Sequence, residues 1–202
     1  MELVARFDNV KTDVFRRRVA LSVPAKIVLA LSFAALTGLL AQVKIYLPFT
    51  PVPITLQTFA VLLAGVTLGR SWGGASMAAY ATLGILGVPW FANAASGFGA
   101  TFGYLAGFVL AAMFIGHMAD KYVRTRGFTP IFGLMTAASV LLIYIPGAVW
   151  LGFWLGMAGQ SVTFASVIAM GVTPFIAGDI LKTMAAAAVA RVITPNQDYS
   201  AQ

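Results

Sequence analysis

An acidic and a basic residue stand three positions apart in an otherwise apolar stretch of the chain. Asp179 and Lys182 interrupt the run PFIAGDILKTMAAAAVA, which covers residues 174–190. Because a spacing of three places two side chains on one face of a helix, we expect the carboxylate and the ammonium to lie together. Each charge would cost about 2.5–3.5 kcal/mol near the centre of a bilayer, so the pair needs a compensating role.

Two roles would explain this pair. It could be a mutually satisfied ion pair that fixes helix packing, or it could bind a ligand. The ligand role is favoured because Pro174 and Gly178 begin the helix beside the predicted outer loops, where a solute would arrive. Asp179 could accept hydrogen bonds from the N–H groups of a urea or an amide. Lys182 could meet a carboxylate or orient Asp179, and the sequence leaves both possibilities open.

The remaining residues offer little catalytic or metal-binding chemistry. The chain has one histidine, His117, and no cysteine, so we expect no metal site and no catalytic nucleophile. The run GDILKT is superficially like a phosphate-binding loop, but Leu181 stands where that loop requires glycine. We therefore expect no catalytic residues, no cofactor and no hydrolysis of ATP by this chain.

The composition is typical of an integral membrane protein. Of the 202 residues, 60% are hydrophobic and 9% are charged, against about 25% charged residues in an average soluble domain. A soluble domain, a disordered chain and a coiled coil are therefore excluded. The net charge of +7 does not indicate nucleic-acid binding, because the basic residues flank apolar runs, where orientation signals lie.

Charge-free stretches and turn residues predict an all-α bundle of six transmembrane helices. We expect this domain at residues 25–192, between an N-terminal segment at 1–24, with amphipathic character, and a C-terminal tail at 193–202. The second and third helices are short, so we expect them to be tilted or partly shielded by protein. The predicted helices lie at about 25–46, 55–69, 72–88, 101–119, 130–150 and 174–191.

The distribution of basic residues predicts that both termini are cytoplasmic. With this orientation the outer side carries only Lys44, and Lys182 lies within a helix. A further crossing at 151–173 would move Arg191 outside, so we expect an outer loop there with a short amphipathic or re-entrant piece. The basic residues on the cytoplasmic side are then Arg6, Lys11, Arg16, Arg17, Arg18, Lys26, Arg70, Lys121, Arg124, Arg126 and Arg191.

Two predicted outer loops supply further candidate ligand contacts. Gln57 is the penultimate residue of the proline-rich run LPFTPVPITLQT and could either cap the second helix or contact the ligand. Trp90 and Phe91 could belong to an interfacial aromatic belt or form an apolar wall for a ring. Asn93 offers a donor and an acceptor, so it could pair with both a urea carbonyl and an N–H group.

Small residues recur at four-residue spacing along the first predicted helix, at Ala30, Ala34 and Gly38. Such a stripe lets helix backbones approach closely. It could serve packing within the bundle, or it could form a docking face for another membrane protein. The sequence leaves both roles open.

Several separated motifs, in order along the chain, carry a family resemblance. They are PVPITLQTFAVLLAG at 51–65, GVPWFA at 87–92, GATFGYLAGF at 99–108, GAVWL at 147–151 and PFIAGDILK at 174–182. With them the chain resembles the BioY family, the biotin-binding S components of energy-coupling factor (ECF) vitamin transporters. The resemblance implies a six-helix fold of the S-component type in a prokaryotic plasma membrane. An S component for another vitamin, such as thiamine or riboflavin, is the alternative.

The resemblance also implies roles for individual residues and for partners. Asp179 and Asn93 would hold the ureido ring of biotin, Lys182 would lie near the ring or the valerate chain, and Gln57 would lie near the entrance. Biotin would be the transported ligand rather than a cofactor. A membrane-embedded T component and two ATPase subunits would complete the transporter, with ATP hydrolysed only by the ATPases. The small-residue stripe would be a docking surface for the T component.

Overall fold

The computed structural model describes residues 2–195 of the chain, with side chains described from residue 8 onward. Eight α-helices make up most of this described part. A π-helical turn, Ser139–Tyr144, joins the fifth helix to the sixth. The helices are α1 (Glu2–Ala20), α2 (Val23–Ala41), α3 (Gln57–Ile85), α4 (Phe102–Lys121), α5 (Phe128–Ala138), α6 (Ile145–Met157), α7 (Phe164–Gly171) and α8 (Ile176–Ile193).

A small antiparallel strand pair lies between α2 and α3. Strand β1 (Lys44–Ile45) pairs with β2 (Ile54–Thr55) across the proline-rich run. Short 3₁₀ turns occupy Ala92–Ala94, Val123–Arg126 and Thr173–Phe175. The described part of the chain is otherwise helical or irregular, as an all-α fold requires.

Within residues 2–195, four helical stretches are long and apolar enough to cross a membrane. They cover Val23–Ala41, Phe102–Lys121, Phe128–Met157 and Phe164–Ile193. At a rise of about 1.5 Å per residue, each can span most or all of a hydrocarbon core about 30 Å thick.

Helix α3 is a hairpin of two antiparallel arms rather than one rod. Gly69 has φ +79°, which breaks the helical geometry and separates a first arm, residues 57–68, from a second arm, residues 70–85. Gln57 donates a hydrogen bond to Tyr80 at 2.7 Å, although a straight helix would hold these residues about 35 Å apart. The two arms and the four long stretches together make six helices in the described part of the chain. The two short helices predicted from the sequence are therefore confirmed.

The arms of the hairpin are too short to cross a bilayer without help. The first arm is nearly all buried within the chain, including Ala60, Val61 and Leu62 at 0% exposure. A Cβ atom on Gly65 would lie 2.6 Å from the backbone oxygen of Ala112, so glycine is needed for α4 to pack this closely. The prediction that the short helices are tilted or partly shielded by protein is therefore confirmed for the first arm.

Helix α4 is the centre of the bundle. One face packs on the hairpin, and the opposite face packs on the stretch from α5 to α6. Gly107 allows the second contact, because a Cβ atom there would overlap the backbone of Leu142 and Ile143. The buried residues around α4 form one apolar core that includes Tyr80, Phe108, Ile115 and Met135.

The fifth membrane helix is longer than predicted. It was expected to end near residue 150, but α5, the π-helical turn and α6 continue to Met157. Residues 151–157 contain no proline, and the glycines at 152 and 156 weaken a helix without stopping it. The chain turns only at Gly159, whose φ of +75° suits glycine. The prediction that residues 151–157 belong to an outer loop is therefore wrong.

The remainder of that stretch contains α7, an eight-residue helix that matches the short piece expected there. Phe164 at its start is 84% exposed, while Gly171 at its end is buried. Pro174 lies in the 3₁₀ turn between α7 and α8. Helix α8 then begins at Ile176, close to the predicted start.

The N-terminal segment is a helix with one buried side. Thr12 and Phe15 are buried, whereas Asp13, Arg16 and Arg17 are exposed. This spacing of buried positions gives α1 the amphipathic character expected of the segment. Most of the predicted C-terminal tail, from residue 196 onward, lies outside the described residues.

Candidate ligand-binding site

A cavity of about 580 Å³, including the space at its open mouth, lies at the end of the bundle away from Gly69. The loop before α3, the loop before α4, the start of α4, the π-helical turn and the start of α8 contribute its walls. The lining residues are Val52, Pro53, Thr55, Gln57, Thr58, Phe91, Ala92, Thr101, Tyr104, Leu105, Phe108, Ile143, Tyr144, Phe175, Asp179 and Lys182. Four of the sequence-predicted site residues are thereby brought together: Gln57, Phe91, Asp179 and Lys182.

The charged pair lies in the wall of this cavity. Lys182 Nζ is 2.5 Å from Asp179 Oδ1, one turn along α8. The two residues are 8% and 7% exposed, respectively. Because both charges are largely removed from water, each depends on the other for compensation. The expected proximity of the two side chains is therefore observed.

Tyr144 completes a three-residue polar cluster that we call the Asp179 cluster: Tyr144, Asp179 and Lys182. The Tyr144 hydroxyl donates to Asp179 Oδ2 at 2.6 Å, a bond between residues 35 positions apart in the sequence. Each carboxylate oxygen thus has one protein donor. Since a carboxylate oxygen accepts about two hydrogen bonds, each can still receive an N–H group from a ligand.

The π-helical turn places Tyr144 toward α8. Pro146, at the start of α6, has no backbone N–H group and cannot bond to the oxygen of Leu142. The local backbone widens into the π-helical turn that ends at Tyr144, and such a turn inserts a residue and changes the direction of the side chains. The role of Tyr144 was not predicted from the sequence. The one signal that could have indicated it is the position of this tyrosine in an apolar helix, two residues before Pro146.

Tyr104 is a second lining residue that sequence reasoning missed. Its ring lies in the cavity wall, and its hydroxyl donates to the backbone oxygen of Gly171 at 2.7 Å. The ring packs edge-on to Phe175, with centroids 6.4 Å apart. These two rings give the cavity an aromatic surface next to the Asp179 cluster, which suits a flat or cyclic ligand.

Gln57 lies at the rim of the first arm, and its side chain bonds within the protein. Its Nε2 atom donates to the Tyr80 hydroxyl at 2.7 Å, and its Oε1 atom accepts from Thr55 Oγ1 at 2.8 Å. The backbone N–H of Gln57 is capped by Thr55. Gln57 therefore links the two arms of the hairpin while it also lines the cavity.

The loop at 88–97 carries the other three predicted contacts, and only one of them lines the cavity. Phe91 is 7% exposed and lines the cavity. Trp90 points away from it and donates from Nε1 to the backbone oxygen of Tyr80 at 3.0 Å. Asn93 is exposed, and its Oδ1 atom accepts a hydrogen bond from Lys44 Nζ at 3.2 Å. The structure does not place Trp90 or Asn93 in the cavity wall.

Gln42 anchors this loop to the end of α2. Its Nε2 atom donates to the backbone oxygen of Phe91 at 2.9 Å, and its Oε1 atom accepts from the backbone N–H of Ala94 at 3.1 Å. Asn93 and Ala94 both have positive φ values, 68° and 51°. An anchor on both sides of this tight turn holds Phe91 in the cavity. Nothing in the sequence pattern distinguishes Gln42 from a surface glutamine.

The small-residue stripe on α2 packs inside the chain. Ala30 is 5% exposed and Ala34 is 0% exposed. Ser76 on the second arm donates to the backbone oxygen of Ala30 at 2.7 Å. A Cβ atom on Gly38 would lie 2.9 Å from the Cβ atom of Trp90. Of the two roles left open by the sequence, this burial favours packing, and docking of a T component on the stripe stays a prediction.

The lining of the cavity has the features of a small-molecule binding site. Asp179 and Lys182 are its only charged lining residues, and they neutralise each other. Among residues 2–195, no group of three or more His, Cys, Asp or Glu residues is positioned to hold a metal ion. What the lining offers is a set of fixed donors and acceptors on an apolar background, which is the usual design of a small-molecule site.

The model of the BioY family matches residues 12–198 of the chain. The chain belongs to the BioY family. It is 51% identical over 142 residues to the "Probable biotin transporter BioY" of Methanothermobacter thermautotrophicus, covering 68% of this chain and 90% of that relative. It is 35% identical over 150 residues to the "Biotin transporter BioY" of Thermotoga maritima, covering 72% of this chain and 83% of that relative.

A solved structure has the same fold as this BioY family member. The crystal structure of the S-component for biotin from an ECF-type ABC transporter aligns with a TM-score of 0.73 and 22% sequence identity. The alignment covers 85% of this chain and 93% of that one. The six-helix arrangement described above is therefore an S-component fold, and the protein is a membrane protein.

Proposed function

We propose that this protein binds biotin and mediates its uptake as the S component of an ECF-type transporter. The observation that carries the proposal is the Asp179 cluster, a polar group buried in the wall of an otherwise largely apolar cavity. Polar groups placed in this way fix the orientation of a ligand, whereas the apolar walls supply most of the binding energy. The names of the family relatives support biotin as the ligand.

The chemistry of biotin fits the cavity group by group. Its ureido ring presents two N–H donors and one carbonyl acceptor. The Asp179 carboxylate retains acceptor capacity for the N–H groups, while Lys182 has donors beyond the one used on Asp179. The aromatic side chains of Phe91, Tyr104 and Phe175 suit the apolar faces of the fused rings. Lys182 would meet the ureido carbonyl or the valerate chain.

The valerate chain would extend toward the open mouth of the site. A second cavity of about 540 Å³ adjoins the first and shares Pro53, Phe91, Ala92 and Thr101 with it. Both cavities meet beneath the loop that carries Asn93. Asn93 would contact biotin after this loop closes further over the ligand, exchanging its bond to Lys44 for one to the ureido ring. Trp90 would support the closed loop from below, through its contact with Tyr80.

A different vitamin is less well accommodated. Thiamine carries a permanent positive charge and would need a carboxylate without a counter-ion. Asp179 is the only acidic lining residue, and Lys182 already neutralises it. A neutral urea, by contrast, binds to the paired carboxylate without a change in the buried charge. The relatives' names also do not favour thiamine or riboflavin.

The wider assembly follows from this function. The S component would work with a membrane-embedded T component and two ATPase subunits, and those ATPases would hydrolyse ATP. The protein would reside in a prokaryotic plasma membrane with both termini in the cytoplasm, which agrees with the distribution of its basic residues. The cavity would then face the outside, and no cofactor would be required for binding.

Equilibrium binding to a panel of vitamins tests the proposed ligand. The full chain, purified in detergent, is titrated separately with biotin, thiamine and riboflavin, and heat release or thermal stabilisation is measured. We expect saturable binding of biotin and none of the other two at matched concentrations. Binding of thiamine or riboflavin in place of biotin would overturn the proposal, and so would the absence of binding to all three.

A further inference from the structure

A basic cavity lies at the opposite end of the bundle from the ligand site, next to the turn of the α3 hairpin. Its volume is about 650 Å³, and its lining includes Arg18, Lys26, Arg70 and Asp120. Arg18 Nη2 is 2.6 Å from Asp120 Oδ1. Among the described residues that line this cavity, three cationic side chains thus face one carboxylate, which is an excess of two positive charges. The exposed Arg70 side chain is well placed to meet an anion.

An apolar groove of about 930 Å³ continues from this basic cavity. Val14 and Phe15 of α1 form one wall, while Leu29 and Phe33 of α2 form another, and Ile193 closes the end. The two cavities are continuous because they share four lining residues. The shared residues are Arg18, Leu21, Leu29 and Leu68.

We propose that the basic cavity and the apolar groove together bind one anionic glycerophospholipid of the membrane. The phosphate-bearing headgroup lies between Arg18, Lys26 and Arg70, and one acyl chain lies along the groove. A soluble anion would use only the basic cavity, and an apolar peptide would leave the excess charge uncompensated. A molecule with a negative head and an apolar tail matches both halves.

The surroundings place this site at the depth of lipid headgroups. Helix α2, the first described stretch that is both long and apolar enough to cross a membrane, begins at Val23, three residues before Lys26. Trp72 also lines the basic cavity, and tryptophan is enriched at the membrane–water interface. Basic residues at this depth attract anionic lipids.

A lipid held here would fasten α1 to the bundle. Arg18 of α1 donates to the backbone oxygen atoms of Val66 and Thr67 at 3.3 and 3.1 Å. Lys26 donates to the backbone oxygen of Val19 at 2.8 Å. These bonds tie the end of α1 to α2 and to the first arm, and the proposed lipid fills the gap that remains between them.

Native mass spectrometry of the purified full chain tests this site. The protein is titrated with phosphatidylglycerol or with phosphatidylcholine of identical acyl chains, and lipid-bound populations are compared. We expect tighter binding of phosphatidylglycerol. The double variant K26Q/R70Q should bind phosphatidylglycerol about tenfold or more weakly, because each basic residue near a membrane surface contributes a substantial part of the attraction.

The matched control is K121Q/R124Q, which removes two exposed basic residues that do not line either cavity. This control should retain the wild-type affinity and the preference for phosphatidylglycerol. If K26Q/R70Q fails to fold, as judged by thermal unfolding, R70Q is compared with R124Q instead. Equal affinity of the wild type for both lipids would overturn the proposal. An equal loss of affinity for phosphatidylglycerol in the test variant and in its control would also overturn it. Displacement of the lipid by glycerol phosphate at comparable concentration would also overturn it, because the tail would then be irrelevant.

Discussion

The hydroxyl of Tyr144 donates a 2.6 Å hydrogen bond to Asp179 and so connects the fifth membrane helix to the sixth within the cavity wall. Lys182 holds the other oxygen of the same carboxylate. The side chain of Asp179 is therefore fixed before any ligand arrives. A fixed acceptor binds a ligand more tightly than a mobile one, because less conformational freedom is lost on binding.

Removal of the tyrosine hydroxyl should destabilise the unliganded protein. In Tyr144→Phe, one oxygen of a buried carboxylate loses its donor, at an expected cost of about 1.5–3 kcal/mol in the free energy of unfolding. Thermal unfolding in detergent measures the effect, and saturating biotin should restore part of the stability by supplying N–H donors. The control is Tyr46→Phe, at an exposed position. Equal unfolding temperatures for the two variants would argue against a supporting role of Tyr144.

The buried ion pair predicts a non-additive pattern of stability. Lys182→Met alone leaves the Asp179 carboxylate without its counter-charge and should cost about 3–5 kcal/mol. The double variant D179N/K182M removes both charges and should be more stable than the single K182M variant, yet still fail to bind biotin. Unfolding and biotin titrations of the wild type, D179N, K182M and the double variant provide the double-mutant cycle. Additive losses would indicate that the two residues do not interact energetically.

Gln42 should control the loop that holds Phe91 in the cavity. Gln42→Ala removes hydrogen bonds to both sides of the turn at 93–94, so we expect the affinity for biotin to fall roughly tenfold. The dissociation rate should rise more than the association rate falls. Gln160→Ala, at an exposed glutamine, is the matched control. An unchanged dissociation rate in Gln42→Ala would show that the loop needs no such anchor.

The small-residue stripe allows a direct choice between packing and docking. Ala34 has no exposed surface, so Ala34→Leu should force a larger side chain into a filled space and cost about 1–3 kcal/mol of stability. Thermal unfolding and biotin uptake by cells are measured together. Docking of a T component on this face predicts another outcome, in which A34L is as stable as the wild type and binds biotin but no longer supports uptake.

The sequence was most informative where one residue type has a strong physical preference. The scarcity of charge identified a membrane protein, and the boundary predicted between the second and third helices, at residues 69–72, matches the turn at Gly69. The spacing of Asp179 and Lys182 correctly predicted their contact. In each case the preference is local, so it can be read without knowledge of distant neighbours.

Other features depend on contacts between distant segments and could not be read in this way. Tyr144 reaches Asp179 only because Pro146 and the close approach of Gly107 shape the helix around it. Gln42 binds the loop through backbone groups, which have no sequence signature. The extension of the fifth helix to Met157 was missed because the distribution of basic residues limits the number of crossings but not the length of each helix.

A biotin titration of the Asp179→Asn variant tests the central claim most directly. Asparagine has nearly the same shape but lacks the charge that strengthens hydrogen bonds to ligand N–H groups. We predict a loss of affinity of at least about 30-fold, while Asp13→Asn, which removes an exposed carboxylate on α1, retains the wild-type affinity. Wild-type affinity in a folded Asp179→Asn protein would contradict the assignment of this cavity as the biotin site.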